Sequence, residues 1–249
     1  MKPLFAAVQF LTVIPFPKNF VSGEKDLEKS VAFFPIVGLL IGLTIAAIDY
    51  VIAFILPPYP ASAITVIALT GISGGLHMDG LADTADGFFS ARPRDKILEI
   101  MKDSRTGVMG VIAVVFVILL KFSLLISLSF PFRFGIIMLM PIAGRCSLVI
   151  MMKALPYVRS EGGLATVFSG GRTSLNVLWV SAFLIVAGWI AAHAIGLAAC
   201  IVSLIGAALF SLYCFRKIGG YTGDTLGALC EITEIVPALV AVIWIGTFI

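Results

Sequence analysis

Charge is what this sequence has least of. Lys, Arg, Asp and Glu make up 12% of its 249 residues, against 60% hydrophobic residues, and the mean hydropathy is +1.10. A soluble domain needs far more polar surface to cover itself. The net charge of +3 is small and its carriers are scattered, which excludes nucleic acid as a partner. The four cysteines, Cys146, Cys200, Cys214 and Cys230, show no CxxC spacing and have mostly apolar neighbours. They read as small buried hydrophobes rather than a disulfide framework or zinc site. No repeat of fixed period and no low-complexity segment occurs. Residues 3–14 run into Pro15 and Pro17 without a small-residue cleavage pattern, so no cleaved leader is expected.

What is there is a series of long apolar runs. A bilayer core of about 30 Å needs roughly 20 apolar residues in a helix, and backbone groups in lipid must be satisfied internally. The expected fold is therefore all-α: a polytopic helical membrane bundle of six or seven transmembrane helices with polar cytoplasmic loops, forming one domain over residues 1–249. Spans are expected near 33–56, 61–82, 108–130, 134–152, 175–195 and 197–215, with a short seventh, 236–249, tilted or partial.

Lysine and arginine set the orientation. With the N-terminus inside, Lys2, Lys18, Lys25, Lys29, Arg92, Arg94, Lys96, Lys102, Arg105, Lys153, Arg159, Arg172, Arg216 and Lys217 all lie in the cytoplasm, and Arg133 lies outside. This gathers polar loops near 83–107, 153–174 and 216–235 on one face, where chemistry is expected.

The densest polar stretch runs from His77 to Gly87. At helical spacing Asp79, Asp83 and Asp86 fall within about 60° of arc. Three like charges at a membrane boundary repel, and a hard divalent cation removes that cost; oxygen-only ligands favour magnesium, manganese or calcium. Gly80 and Gly87 would let a phosphate approach the backbone. The competing reading is a solvated helix end paired with nearby arginines. His77, beside the acids, reads either as a helix-end polar residue or as a substrate contact. Pro93 can open a helix carrying Asp95, Glu99 and Asp103 on one side. Lys96 and Lys102 fit a charge-laced surface there, while Arg105 suits a phosphate or Asp103.

A second constellation runs from Gly219 to Gly227 and contains Thr222, Asp224 and Thr225. Such a loop can present N–H and hydroxyl donors to phosphate oxygens, but it lacks the lysine of a P-loop. A plain glycine-rich connection is the alternative. Glu231 and Glu234, seven and ten residues beyond Asp224, are expected to extend its polar rim. Within the spans, Lys121 and Arg145 are functional candidates by default. Each could reach an anionic substrate or pair with an acid of a neighbouring helix. Asp49 and His193 lie near the outer face, where no chemical role is expected.

Taken together, residues Gly74–Arg92, Glu99–Gly107 and Gly219–Ala228 resemble the signature of the cobalamin synthase family, also called adenosylcobinamide-GDP ribazoletransferases. Phe10–Pro17 and Phe34–Gly38 are similar to that family too, so the resemblance runs end to end. It implies that a ribose hydroxyl of α-ribazole, or of its 5′-phosphate, displaces GMP from adenosylcobinamide-GDP, with Mg2+ as cofactor. It also implies a cell (cytoplasmic) membrane location, contact with membrane lipid, and other membrane-associated corrinoid enzymes as partners. Residues 83–92 look, more loosely, like the DxxDGxxAR pattern of CDP-alcohol phosphotransferases, with one residue inserted. That parallel makes Asp79, Asp83 and Asp86 the metal set and Asp103 the general base, provided that crowding by other carboxylates raises its pKa. His77, Arg92, Glu99, Arg105, Thr222, Asp224 and Thr225 are the expected substrate-binding residues. The alternatives are a CDP-alcohol phosphotransferase and a cation transporter. A transporter would place its acids nearer the midplane, often on repeated helices.

Overall fold

A computed structural model describes residues 1–15, 17, 24–159 and 174–247. Lys18, Arg172 and most of the expected polar loop at 153–174 lie outside these. The helices are α1 (Lys2–Leu11), α2 (Glu24–Ser30), α3 (Phe34–Ile52), α4 (Pro58–Gly71), α5 (Leu76–Phe88), α6 (Arg94–Ile100), α7 (Val108–Ser127), α8 (Phe132–Ala154), α9 (Ser174–Ile218) and α10 (Gly223–Thr247). Among the described residues the only β pairing is a single bridge between Tyr157 and Tyr221. The bundle is all-helical, with five helices long and apolar enough to cross a membrane, or six if the bent pair α4–α5 counts as one.

Helix α8 is the central column. Its side chains are buried almost continuously from Gly135 to Met152, and α3, α9 and α10 pack around it. Lipid tails are as apolar as leucine, so close backbone approach rather than a hydrophobic drive holds such helices together. Small residues permit that approach: a Cβ on Gly38 would sit 2.8 Å from the Pro141 carbonyl oxygen, and one on Gly42 would collide with Met138. Helix α7, by contrast, exposes Val111, Ile112, Val115, Phe116 and Leu119, the pattern of a lipid-facing outer helix.

Three expected boundaries are corrected. The span expected at 61–82 is broken: α4 ends at Gly71, and α5 leaves it at 84°. Gly74 and Gly75 take φ of +62° and +75° in the turn, a conformation that side chains resist. Only 13 residues long and mostly buried, α5 reaches from the start of α10 to the start of α7. Residues 216–235 do not form a loop, because α9 continues to Ile218 and α10 starts at Gly223. The short seventh span is thus the outer part of a 25-residue helix. Finally, α6 ends at Ile100, so Asp103 does not share a helical face with Asp95 and Glu99.

The 45-residue α9 folds back on itself at Ala192 and His193, where the backbone is non-helical. Its two arms meet where Gly188 touches Gly196. The arms correspond to the spans expected at 175–195 and 197–215.

Two buried ionic networks tie the helices. At the end away from α5, Arg133 donates to both oxygens of Asp49, at 2.8 and 2.7 Å, and to Ser62 at 3.1 Å. Thr65 adds a bond to Asp49 at 2.6 Å. In mid-bundle, Lys121 meets Glu231 at 2.6 Å and Glu234 at 2.7 Å, and Arg145 pairs with Glu234. Of the two readings open for Lys121 and Arg145, the structure shows pairing with acids of a neighbouring helix.

Candidate functional site

Helix α5 carries Asp79, Asp83 and Asp86 as the spacing predicts, but the three meet different surroundings. Asp86 is turned to the start of α7, where its carboxylate accepts the backbone N–H groups of Gly107 at 2.6 Å and Gly110 at 2.8 Å. A carboxylate there satisfies orphan helix donors and complements the helix dipole. Asp79 is exposed and lines a cavity, and Asp83, one turn further along α5, is partly buried. Burial, then the charges of Asp79 and Asp224, raise the Asp83 pKa to about 6; Arg159 acts in the opposite sense.

The close crossing of α5 and α10 brings Asp224 to this group. A Cβ on Gly80 would sit 2.7 Å from the Asp224 carbonyl oxygen, and one on Gly227 would sit 3.0 Å from that of His77. Gly80 therefore admits a helix backbone, not a phosphate. Gly87 is likewise filled, by Met101 and Ile97. In the expected phosphate loop, Gly220 packs on Pro156, whereas nothing lies within 4 Å of the Cβ position at Gly223.

Thr222 and Thr225 bond to each other, and the Thr222 hydroxyl also donates to the Asp224 carboxylate at 3.3 Å. The Thr222 N–H donates to the Thr225 hydroxyl at 2.8 Å, and the Thr225 N–H donates to the Thr222 hydroxyl at 3.2 Å. This reciprocal cap starts α10 and leaves Asp224 in its first turn.

Arg159 and Tyr157 are residues that the sequence reading did not single out for the site. Tyr221 donates its N–H to Pro156, and Val158 donates to Tyr221, which pins residues 156–158 against the start of α10. Arg159 then reaches Asp224 at 2.6 Å and the Met101 carbonyl at 3.2 Å. The signal that could have found it is a lone arginine just past an apolar helix, but its partner is 65 residues away.

The cavity beside these groups has a volume of about 240 Å³ and is lined by residues of α1, α3, α5, α8 and α10 together with Tyr157 and Arg159. Asp79, Asp224, Arg159, His77 and Tyr157 supply its polar side chains. His77 is buried, and its Nδ1 has no hydrogen-bond partner among the described residues. The other expected site residues lie elsewhere on the same face. Arg92 is exposed, and Glu99 pairs with Lys96 at 2.6 Å on the surface. Asp103 pairs with Arg105 at 2.7 Å, and these hydrogen bonds lower its pKa to about 2. The raised pKa expected for Asp103 is thus reversed, because its neighbour is a guanidinium rather than other carboxylates.

Among the described residues no three His, Cys, Asp or Glu side chains converge closely enough to hold a metal ion by themselves. The donor set still has the chemistry for magnesium. Asp79, Asp83 and Asp224 offer hard oxygens, and the nearness of Asp79 and Asp224 disfavours the charge on Asp83. Magnesium is usually held by one or two carboxylates plus phosphate oxygens and water, not by a protein cage.

Comparison with known proteins agrees with the sequence resemblance. Residues 3–242 match the CobS family, described as cobalamin-5-phosphate synthase. An adenosylcobinamide-GDP ribazoletransferase of Geotalea daltonii is 36% identical over 98% of this chain and 98% of its own length. One from Brevibacillus brevis is 36% identical over 97% of this chain and 98% of its own, and one from Desulforamulus reducens is 38% identical over 92% and 91%. No solved structure matches the chain. This all-helical membrane bundle, matched along nearly its whole length, belongs to the cobalamin-5-phosphate synthase family.

Proposed function

We propose that the chain is an adenosylcobinamide-GDP ribazoletransferase: a ribose hydroxyl of α-ribazole, or of its 5′-phosphate, attacks the diphosphate of adenosylcobinamide-GDP and releases GMP. The observation that carries this reading is the meeting of Asp79, Asp224 and Arg159 in the lining of one cavity, with Asp83 close enough for the charges of all three to act on it. Phosphoryl transfer asks for little covalent chemistry from the protein; it asks for positioning and for neutralisation of the diphosphate.

Asp79 and Asp83 would hold magnesium, which supplies charge neutralisation at the diphosphate when bound. Asp86 fixes α5 to the start of α7 and so sets where those two acids stand. Asp224 lines the cavity beside them and takes the proton of the attacking hydroxyl, with Arg159 orienting its carboxylate. Asp103, held at about 2 by Arg105, is too weak a base in this arrangement. Arg105, exposed on the same face, and Arg92 are placed to meet the charge of the nucleotide. The acids face the cytoplasm of the cell membrane, in keeping with the lysines and arginines around them. A CDP-alcohol phosphotransferase would release CMP instead.

The test is incubation of detergent-solubilised protein with adenosylcobinamide-GDP, α-ribazole 5′-phosphate and magnesium, following GMP and the corrinoid product. GMP release that needs both magnesium and Asp83 is expected. No GMP from well-folded wild-type protein would overturn the reading.

A further inference from the structure

The cavity has two unlike ends. Its walls include Phe10, Phe34, Leu76, Leu148, Met152 and Leu226, and its polar side chains are those of His77, Asp79, Tyr157, Arg159 and Asp224. Phe10 and Phe34 stack with their ring centroids 5.9 Å apart, at an interplanar angle of 20°. The His77 Nδ1 is buried without a partner among the described residues, and a polar atom so placed is destabilising until something pairs with it.

From this chemistry we infer that the cavity is the subsite for the acceptor nucleoside's base: a flat, largely apolar fused ring whose one free ring nitrogen pairs with His77, its ribose turned toward Asp224. The inference rests on the transferase reading given above and specifies which of the two substrates fills the cavity. Size decides against the corrinoid. A volume of 240 Å³ equals about eight water volumes at roughly 30 Å³ each, which suits a bicyclic ring but not a macrocycle with its side chains. Polarity decides against guanine. Its amide and amine would need the carboxylate of Asp79 or Asp224 at the cavity mouth, and those are taken by the cation and by the attacking hydroxyl, whereas a ring with one edge nitrogen needs only His77. The guanylylated corrinoid therefore stays outside, across the acids, with its diphosphate at the cavity mouth. In that arrangement the acceptor's ribose lies between its base and the diphosphate.

The test measures equilibrium binding of α-ribazole and of GMP, separately, to the full-length protein in detergent. Leu148→Trp fills the floor from a buried position, and Leu76→Trp fills the wall from a side chain 48% exposed, where folding is least at risk. Both variants are expected to weaken α-ribazole binding about tenfold or more and to leave GMP binding unchanged. The acceptor KM rises in parallel while the KM for adenosylcobinamide-GDP stays level. Loss of GMP affinity instead, or unchanged α-ribazole binding in folded Leu76→Trp, overturns the assignment. Wild-type protein that binds α-ribazole with the predicted sensitivity but releases no GMP would refute the transferase reading and leave the subsite standing.

Discussion

The two ends of this bundle handle buried charge in opposite ways. Away from α5, one guanidinium meets one carboxylate: Arg133 spans both oxygens of Asp49, and Ser62, Thr65 and backbone carbonyls take up remaining bonding capacity. At the α5 end, Asp79, Asp83 and Asp224 gather beside Arg159, and His77 keeps a ring nitrogen unpaired. A balanced and saturated pair serves as a clamp between helices. An imbalance that the protein does not cancel is left for a cation and an anionic substrate. The mid-bundle network lies between the two: Lys121 and Arg145 balance Glu231 and Glu234 in charge, but the Arg145 Nε is left without a partner among the described residues.

If that contrast holds, substitutions at the two ends separate activity from stability. The largest expected effect is on activity at the acid end. Asp83→Asn should lower magnesium-dependent GMP release by about a thousandfold while its thermal unfolding stays near that of wild type. Asp224→Asn should cost more activity than Asp103→Asn; the reverse order, measured as initial rates, would return the base role to Asp103.

At the opposite end the effect is on stability. Arg133→Met leaves the Asp49 carboxylate buried without its partner, a loss of about 3–5 kcal/mol measured by unfolding in detergent. Activity per folded molecule should remain. A dead but fully stable Arg133→Met would break the comparison. A smaller effect, about 1–3 kcal/mol, is expected for Gly80→Ala, whose Cβ would press on the Asp224 backbone and part α5 from α10. This variant should lose activity as well, because the same crossing assembles the acids.

The sequence carried the helical bundle, the one-sided gathering of charge and the shared face of the three aspartates, since each depends on local periodicity. It could not show the break at Gly74 and Gly75, because an apolar run of suitable length reads as one span whether or not it bends. The fates of the acids were hidden for a related reason. Asp86 and Asp83 look alike at helical spacing, yet one caps α7 from 21 residues away and the other faces Asp224. Thr222 and Thr225 looked like phosphate donors because their role as a helix cap appears only once α10 is seen to begin at Gly223. Arg159 became visible through the pairing of Tyr157 with Tyr221, a contact that no local pattern announces.

The smallest effect is one of pH. The Asp83 pKa is raised to about 6, so protons compete with magnesium at that carboxylate. Magnesium affinity should weaken as pH falls through about 6 and level off above it. Asp79→Asn removes a repelling charge, so this limb should move to lower pH. For stability the sign is opposite: a carboxyl whose folded pKa is raised favours the folded state below its unfolded value, and that contribution is lost as pH rises through about 6.

The most direct test of the central contrast is manganese binding, used as a paramagnetic stand-in for magnesium and followed by electron paramagnetic resonance in the presence of adenosylcobinamide-GDP. Wild-type protein and Arg133→Met should bind the ion alike, and Asp83→Asn should bind it far more weakly. Equal binding by wild type and Asp83→Asn would contradict the account, because the uncancelled charge on α5 would then not be where the cation sits.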